Sequence, residues 1–224
     1  YILQAYDSIF VDMSTIVDGG QPVTWIKGIL VIQMFDINDE LISEWNAWDH
    51  LDISQYTNLN LESNAIAWMH GNSVEWDDNN QILVSNRASN EILKIDLQSG
   101  EVLWHIGGPL NQFTFTNDPK QGFRMQHDVR RLENGNISLF DNGVTHNPPI
   151  SRALEYQINE EEKTAELVWE YIHPDSIVGF SMGSVQRLPN NNTLINWGSI
   201  SNSGALITEV TIDKAIVLEI QFPN

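Results

Sequence analysis

Six histidines and six arginines, with no cysteine anywhere, set the chemistry available to this chain of 224 residues. Thiol catalysis, disulfides and thiolate metal sites are excluded. Imidazole is left as the candidate nucleophile, proton carrier or ligand, because it titrates near neutrality. Two histidines stand out by position: His127 in "QHDVRRL", two residues before Val129, and His70 in "HGNSVEW", four before Val74. Each heads a short alternating run, so both can face one opening from successive strands. With a carboxylate such as Asp128 they could hold a metal, but no HxH or HxxxH spacing is present, and no metal site is expected. The plainer alternative is that both hydrogen-bond loop backbone. His173, in "YIHPDS", precedes a third such run and can reach the same opening, whereas His50, His105 and His146 read as surface or turn residues. Arg152 begins a strand in "SRALEY" after the loop "DNGVTHNPP", and Arg87 ends "ILVSNR" at what reads as a comparable place one unit earlier. The planar guanidinium fork suits a tetrahedral oxyanion such as sulfate or phosphate.

The elements that must position these groups repeat. "NNQILVSNR" (79–87), "NGNISLFDN" (134–142) and "NNNTLINWG" (190–198) align, with Val74, Val129 and Val185 in register before them. Each is followed by a pair of strands: "EILKIDLQSGEVLWHI", "RALEYQINEEEKTAELVWEY" and "ALITEVTIDKAIVLEI". An earlier, less regular copy contributes "LVIQMFDINDELISEWNAW". Four short alternating strands per unit, joined by Asn, Gly and Asp turns, read as the blades of an all-β propeller. The chain supplies about four such blades, too few for a closed ring of six or seven. It is therefore expected to be one incomplete propeller domain over residues 1–224, with residues missing upstream of Tyr1. Trp45, Trp104 and Trp169 end equivalent strands and read as blade packing. The irregular stretches at 46–69 and 107–125 precede inner strands and are expected over one channel mouth. Counting back from the valines, His127 aligns with Asn72 and Gly183, so the repeat itself does not demand a histidine there.

Thirty acidic against eleven basic side chains give a net charge of −19. That opposes binding to nucleic acid or an anionic membrane surface. All six arginines fall between positions 87 and 187, which concentrates the positive charge. No apolar run long enough to span a membrane and no leader peptide is visible. P-loop, dinucleotide, GxSxG and kinase motifs are likewise missing.

"HGNSVEWDDNNQILVSNRASNEILKIDLQSGEVLWHIGG", "QHDVRRLENGNISLFDNG", "SRALEYQI", "AELVWEYIHP" and "GSVQRLPNNNTLINWG" follow one another in an order that resembles the arylsulfotransferase family over about residues 30 to 224. The resemblance implies a six-bladed, exported propeller that moves a sulfuryl group from a phenolic sulfate ester to a phenol, with no nucleotide or other cofactor. It implies a transiently sulfated channel histidine, with other histidines and an arginine binding the sulfate. His70 matches the HxN histidine and His127 the QH histidine; the arginine falls on Arg152, with Arg87 in reserve. Asn72, Asp128 and Asn142 belong to the same HxN, QHD and DNG elements and are expected substrate contacts. The family's nucleophilic histidine belongs to a later blade, where this chain has Gly183, so His173 is the remaining candidate. A second reading is a catalytically inactive binding or scaffold propeller. "KIDLQSGEVLW" also resembles the tryptophan-docking repeats of quinoprotein dehydrogenases, but nothing here supplies a quinone or metal site.

Overall fold

The computed structural model describes residues 1–200 and 206–222; Ala205, the first residue of the expected strand pair at 205–220, lies outside them. The chain divides into two compact units, Tyr1–Asn111 and Gln112–Asn224. In the first, β1 (Ile2–Val11), β2 (Thr24–Phe35) and β3 (Leu41–Asn46) form an antiparallel sheet, and β4 (Ala65–Ala67) adds to β2 in parallel. The sheet after it runs in sequence order through β5 (Gly71–Trp76), β6 (Gln81–Asn86), β7 (Glu91–Asp96) and β8 (Val102–Gly107). In the second unit, β9 (Thr114–Thr116) adds in parallel to the far edge of a sheet formed by β10 (His127–Arg131), β11 (Ile137–Asp141), β12 (Arg152–Asn159) and β13 (Thr164–Tyr171). The last sheet is β14 (Ser184–Arg187), β15 (Thr193–Asn196), β16 (Leu206–Val210) and β17 (Ile216–Gln221). These four successive sheets are β-propeller blades, and the three aligned segments at 79–87, 134–142 and 190–198 are their second strands.

The turns form where the sequence places residues that tolerate a left-handed backbone. Asn79 and Asn80 (φ 54° and 64°), Gly135 (φ 84°) and Asn191 (φ 64°) close the hairpins after the first strand of three sheets. Side chains finish the job: Asn134 and Asn190 each accept the backbone N–H two residues on, at 3.0 Å.

Sheet-to-sheet packing repeats as well. Trp45 Nε1 donates to Gly100 O at 2.9 Å within the first unit, and Trp169 Nε1 donates to Ile212 O at 3.0 Å within the second. In both, the indole of one blade reaches the outer turn of the next, and Trp45, Trp104 and Trp169 are all buried. Phe140, Ala153, Trp169, Val185, Ile195, Trp197 and Val210 form the apolar core between the two sheets of the second unit. Glu155 bridges them from below: it accepts from Asn134 and Asn136 of its own blade and from Arg187 of the next, whose guanidinium stacks 4.8 Å from the Trp169 ring.

The irregular stretches differ from expectation. Residues 46–69 fold into α1 (Ala47–His50), capped by Asn46, a 3₁₀ turn at Ile53–Gln55 capped by Asp52, and β4. Within 107–125, β9 runs along the outer edge of β13, where Phe115 and Phe123 pack on Tyr156. Both stretches thus extend a sheet, because an edge strand offers unpaired backbone groups that a passing segment can satisfy.

Glu155→Ala is expected to lower stability by roughly 1–3 kcal/mol, since a buried carboxylate that accepts from two carboxamides and a guanidinium is lost. Glu209, at the same place one blade on, accepts among the described residues from Asn192 alone, and Glu209→Ala should cost less. Urea midpoints of the two variants check the difference.

Candidate functional site

His127 opens β10 and is 9% exposed. Its Nδ1 lies 2.6 Å from Asn142 Oδ1, and its Nε2 accepts the backbone N–H of Met182 at 3.2 Å. An acceptor role at Nε2 puts the proton on Nδ1, which then donates to Asn142. The Asn142 carboxamide in turn donates to Gly179 O and Met182 O. Asp128 accepts Val185 N–H at 2.9 Å and pairs with Arg130 at 2.7 Å. His127, Asp128 and Asn142 thus come together and lace β10 to the segment around β14, with both imidazole nitrogens engaged in the seam. The position of His127 in the repeat also shifts. Asp128 sits in a bulge at φ 55°, so His127 pairs with Phe140 and its counterparts in the neighbouring sheets are Ser73 and Ser184, one residue on from Asn72 and Gly183.

Arg152 was expected at a channel end beside an oxyanion; it is instead 1% exposed and surrounded by carboxylates. Its guanidinium meets Asp118 at 2.9 Å and Asp141 at 2.8 Å, and donates to Gly122 O at 2.8 Å. Burial alone would lower its pKa, but Asp141 and Asp118 outweigh that and raise it. Burial pushes the Asp118 carboxyl up, yet bonds from Arg152 and Tyr156 prevail and hold it below the usual range. His146 completes the set with Nε2 3.0 Å from Asp141, so it is a buried hydrogen-bond partner and not a turn residue on the surface. Nor is Arg87 its counterpart. Asp141 pairs with Arg152 and Asn86 pairs with Glu91 in the two registers, which makes Glu91 the equivalent of Arg152.

His173 is 4% exposed: Nε2 lies 2.9 Å from Glu219, Nδ1 accepts Asp175 N–H at 3.1 Å, and the ring stands edge-on to Trp197. Gly183 has φ 102°, and a Cβ there would lie 2.4 Å from the Phe140 ring. The backbone and that ring require glycine at this position, so no histidine fits it. His105 pairs with buried Glu91 at 2.7 Å, and His50 stacks on Trp45.

His70 is different. It is exposed, and among the described residues its ring nitrogens have no hydrogen-bond partner. Burial lowers its pKa and the charge of Arg87, whose backbone N–H donates to His70 O at 2.8 Å, lowers it further. Burial lowers the pKa of Arg87 too. That is the opposite of Arg152, whose carboxylates overcompensate. Asn72 follows in β5. An anion entering here would relieve both shifts.

The residues around His70 that sequence reasoning missed are Asn86, which accepts His70 N–H at 2.9 Å, and Gln4 and Tyr6, which both donate to Gly71 O. Asn86 was within reach through its alignment with Asp141; Gln4 and Tyr6 stand more than sixty residues away and carry no local signal. Among the described residues no group of His, Cys, Asp and Glu is placed to hold a metal ion, and no helix is long and apolar enough to cross a membrane. A groove of about 610 Å³ lined by Arg131, Glu155 and Arg187 lies at the turn end of β10, away from His127, and contains none of the expected catalytic residues.

The family model for arylsulfotransferase (ASST) matches residues 28–224. No curated protein matches the chain in a sequence comparison. Among solved structures it is similar to a protein of unknown function from Bacteroides caccae (13% identity, 87% of this chain and 55% of that one, TM-score 0.46). It is also similar to the Dos1 propeller (12%, 88% and 44%, TM-score 0.48) and to virginiamycin B lyase from Staphylococcus aureus (12%, 99% and 61%, TM-score 0.44). The chain spans about half the length of the first two.

Arg152→Met should cost about 3–5 kcal/mol near neutral pH, because two buried carboxylates lose their cation. Asp118 is depressed in the folded wild type, so its contribution is present above the ordinary carboxylate range and lost as pH falls through the folded value. The variant's deficit should therefore narrow below about pH 4, as urea titrations at the two pH values would report.

Proposed function

Because the chain belongs to the arylsulfotransferase family, we propose that it transfers a sulfuryl group from a phenolic sulfate ester to a phenol at a site built on His70, Arg87 and Asn72. The observation that carries this reading is the open His70 ring beside Arg87, with both pKa values moved down. A lowered pKa leaves His70 neutral near neutral pH, with a lone pair for attack. Arg87 supplies donors for the sulfuryl oxygens in the fork geometry that suits them. In the first step a His70 ring nitrogen bonds to sulfur as the S–O bond to the donor breaks, and the electron pair leaves on the phenolate. In the second, the acceptor phenol gives up its proton, which the released phenolate takes up directly or through solvent, and the acceptor oxygen displaces the histidine, restoring the neutral imidazole. His127, Asp128 and Asn142 act in this reading as the seam that holds the strand ends. Arg152 is a buried ion-pair centre, and His173 is a partner of Glu219. Export from the cytoplasm is part of the proposal and rests on the family.

The engagement of His127 and His173 within the protein also favours the second reading, a propeller that binds an aryl sulfate without turning it over. The two differ in whether a sulfuryl group ever becomes covalent.

In the full-length protein, His70→Ala should abolish transfer from a nitrophenyl sulfate to a phenol, and Arg87→Ala should lower it about 10²–10³-fold. Anion binding should raise the His70 pKa, so sulfate affinity grows as pH falls through that titration, while transfer declines as the imidazole charges. Unchanged transfer in His70→Ala would sink the proposal; binding without a sulfuryl adduct by intact mass would favour the second reading.

A further inference from the structure

We propose that Asn86 is a positioning residue for His70, and that its neutral carboxamide, where the neighbouring blade carries a carboxylate, keeps the imidazole uncharged. This rests on the reading of His70 given above. The backbone of His70 and Gly71 is tied at three polar groups. His70 N–H donates to Asn86 Oδ1 at 2.9 Å, Arg87 N–H donates to His70 O at 2.8 Å, and Gly71 O accepts from Gln4 Nε2 at 2.7 Å and from the Tyr6 hydroxyl. Three strands, β1, β5 and β6, therefore fix one dipeptide, and the ring it carries is left open.

The same clamp recurs in the second unit. Arg124 N–H donates to Asp141 Oδ1 at 2.8 Å, and Gly143 N–H donates to Arg124 O at 2.9 Å. Arg124 thus holds in its blade the place that His70 holds in its own, which counting back from the valines does not reveal. What stands behind the clamp differs. Asp141 is a carboxylate whose charge is met by Arg152, with His146 Nε2 3.0 Å away. Asn86 is neutral and fully buried, and the acidic group is set one step back: its Nδ2 reaches Ser89 Oγ at 2.5 Å and Glu91 Oε2 at 3.5 Å. Glu91, also fully buried, is bound by Ser89 at 3.0 Å, by Tyr56 at 3.4 Å and by His105 at 2.7 Å. The charged and titratable groups around His70 are then Arg87 beside it, Tyr6 across its neighbouring carbonyl, and Glu91, His105 and Tyr56 behind Asn86. A carboxylate in place of Asn86 would bring negative charge against the His70 amide and stabilise the protonated ring.

Three forms of the full-length protein test this: wild type, Asn86→Ala, and the exchange Asn86→Asp with Glu91→Gln, which keeps an acceptor for His70 N–H and the total charge. His70 is titrated by NMR without substrate, and transfer is measured against pH. Asn86→Ala should lower kcat about 10- to 100-fold with KM little changed, as expected when a reacting group is held less well. The exchange should restore kcat at alkaline pH, while the His70 titration and the acid limb of the profile move up by about one unit. A merely structural role would move neither. A wild-type titration midpoint in the exchange variant overturns the proposal, as does wild-type kcat in Asn86→Ala. Should the wild type transfer nothing, the function proposed above fails and the NMR titration still decides this inference; should Asn86→Ala not fold, the exchange variant decides it.

Discussion

An antiparallel sheet of four short strands has two faces and no stable way to wet both. In this chain the constraint is met by packing sheet on sheet, and the rest of the structure follows from how that packing is held. The apolar layer supplies the driving force but does not fix the register of one blade on the next. The directional bonds do that: Trp45 to Gly100 O and Trp169 to Ile212 O at the outer strands, Asp128 to Val185 N–H at the inner ones. Each ties a side chain of one sheet to backbone of the next, so it survives changes of neighbouring side chains. A seam of this kind uses up polar residues near the strand ends, which are also where a binding site must be built.

This competition explains why so few of the conspicuous polar residues are open. His127 and Asn142 are spent on Met182 and Gly179, and His173 on Glu219. The paired positions at the ends of the second and third strands are buried, polar and different in the two units: Asn86 with Glu91 in one, Asp141 with Arg152 in the other. Because an unmatched buried charge costs several kcal/mol, each recruits its own partners from distant sequence. Glu91 takes His105 and Tyr56; Arg152 takes Asp118, with Tyr156 closing on the same carboxylate. Fold and site are therefore not separable here, since the groups that complete a blade also decide which histidine rings are engaged within the protein.

Much of the architecture was legible. The period of the Val74, Val129 and Val185 runs and the Asn turns placed the second strands and the number of blades, because alternation and turn chemistry are local. The added edge strands β4 and β9 were not, since three residues leave no periodic signal. In the site, His70 was picked out from the sequence, but with His127 and Arg152 as its companions and Arg87 only in reserve. Arg152 misled because an isolated arginine after a loop looks the same whether it meets a ligand or two carboxylates, and its partner Asp118 is thirty-four residues away. The bulge at Asp128 adds one residue, and a count along the chain then sets His127 against Asn72 when the backbone sets it against Ser73.

Charge gives an independent reason to look at His70. On a chain of net charge −19 an anionic ester is repelled at long range, but screening confines that repulsion to about 8 Å at physiological salt. What decides binding is then the balance within a few ångströms. Arg130, Arg152 and Arg187 each face a carboxylate inside their own unit, so to an incoming anion they present a pair and not a cation. Arg152 carries the electrostatic mark of that state, a raised pKa, because its two carboxylates outweigh its burial. At His70, burial and the charge of Arg87 both disfavour the protonated imidazole, a local condition that, in the function proposed above, an entering sulfuryl anion would relieve.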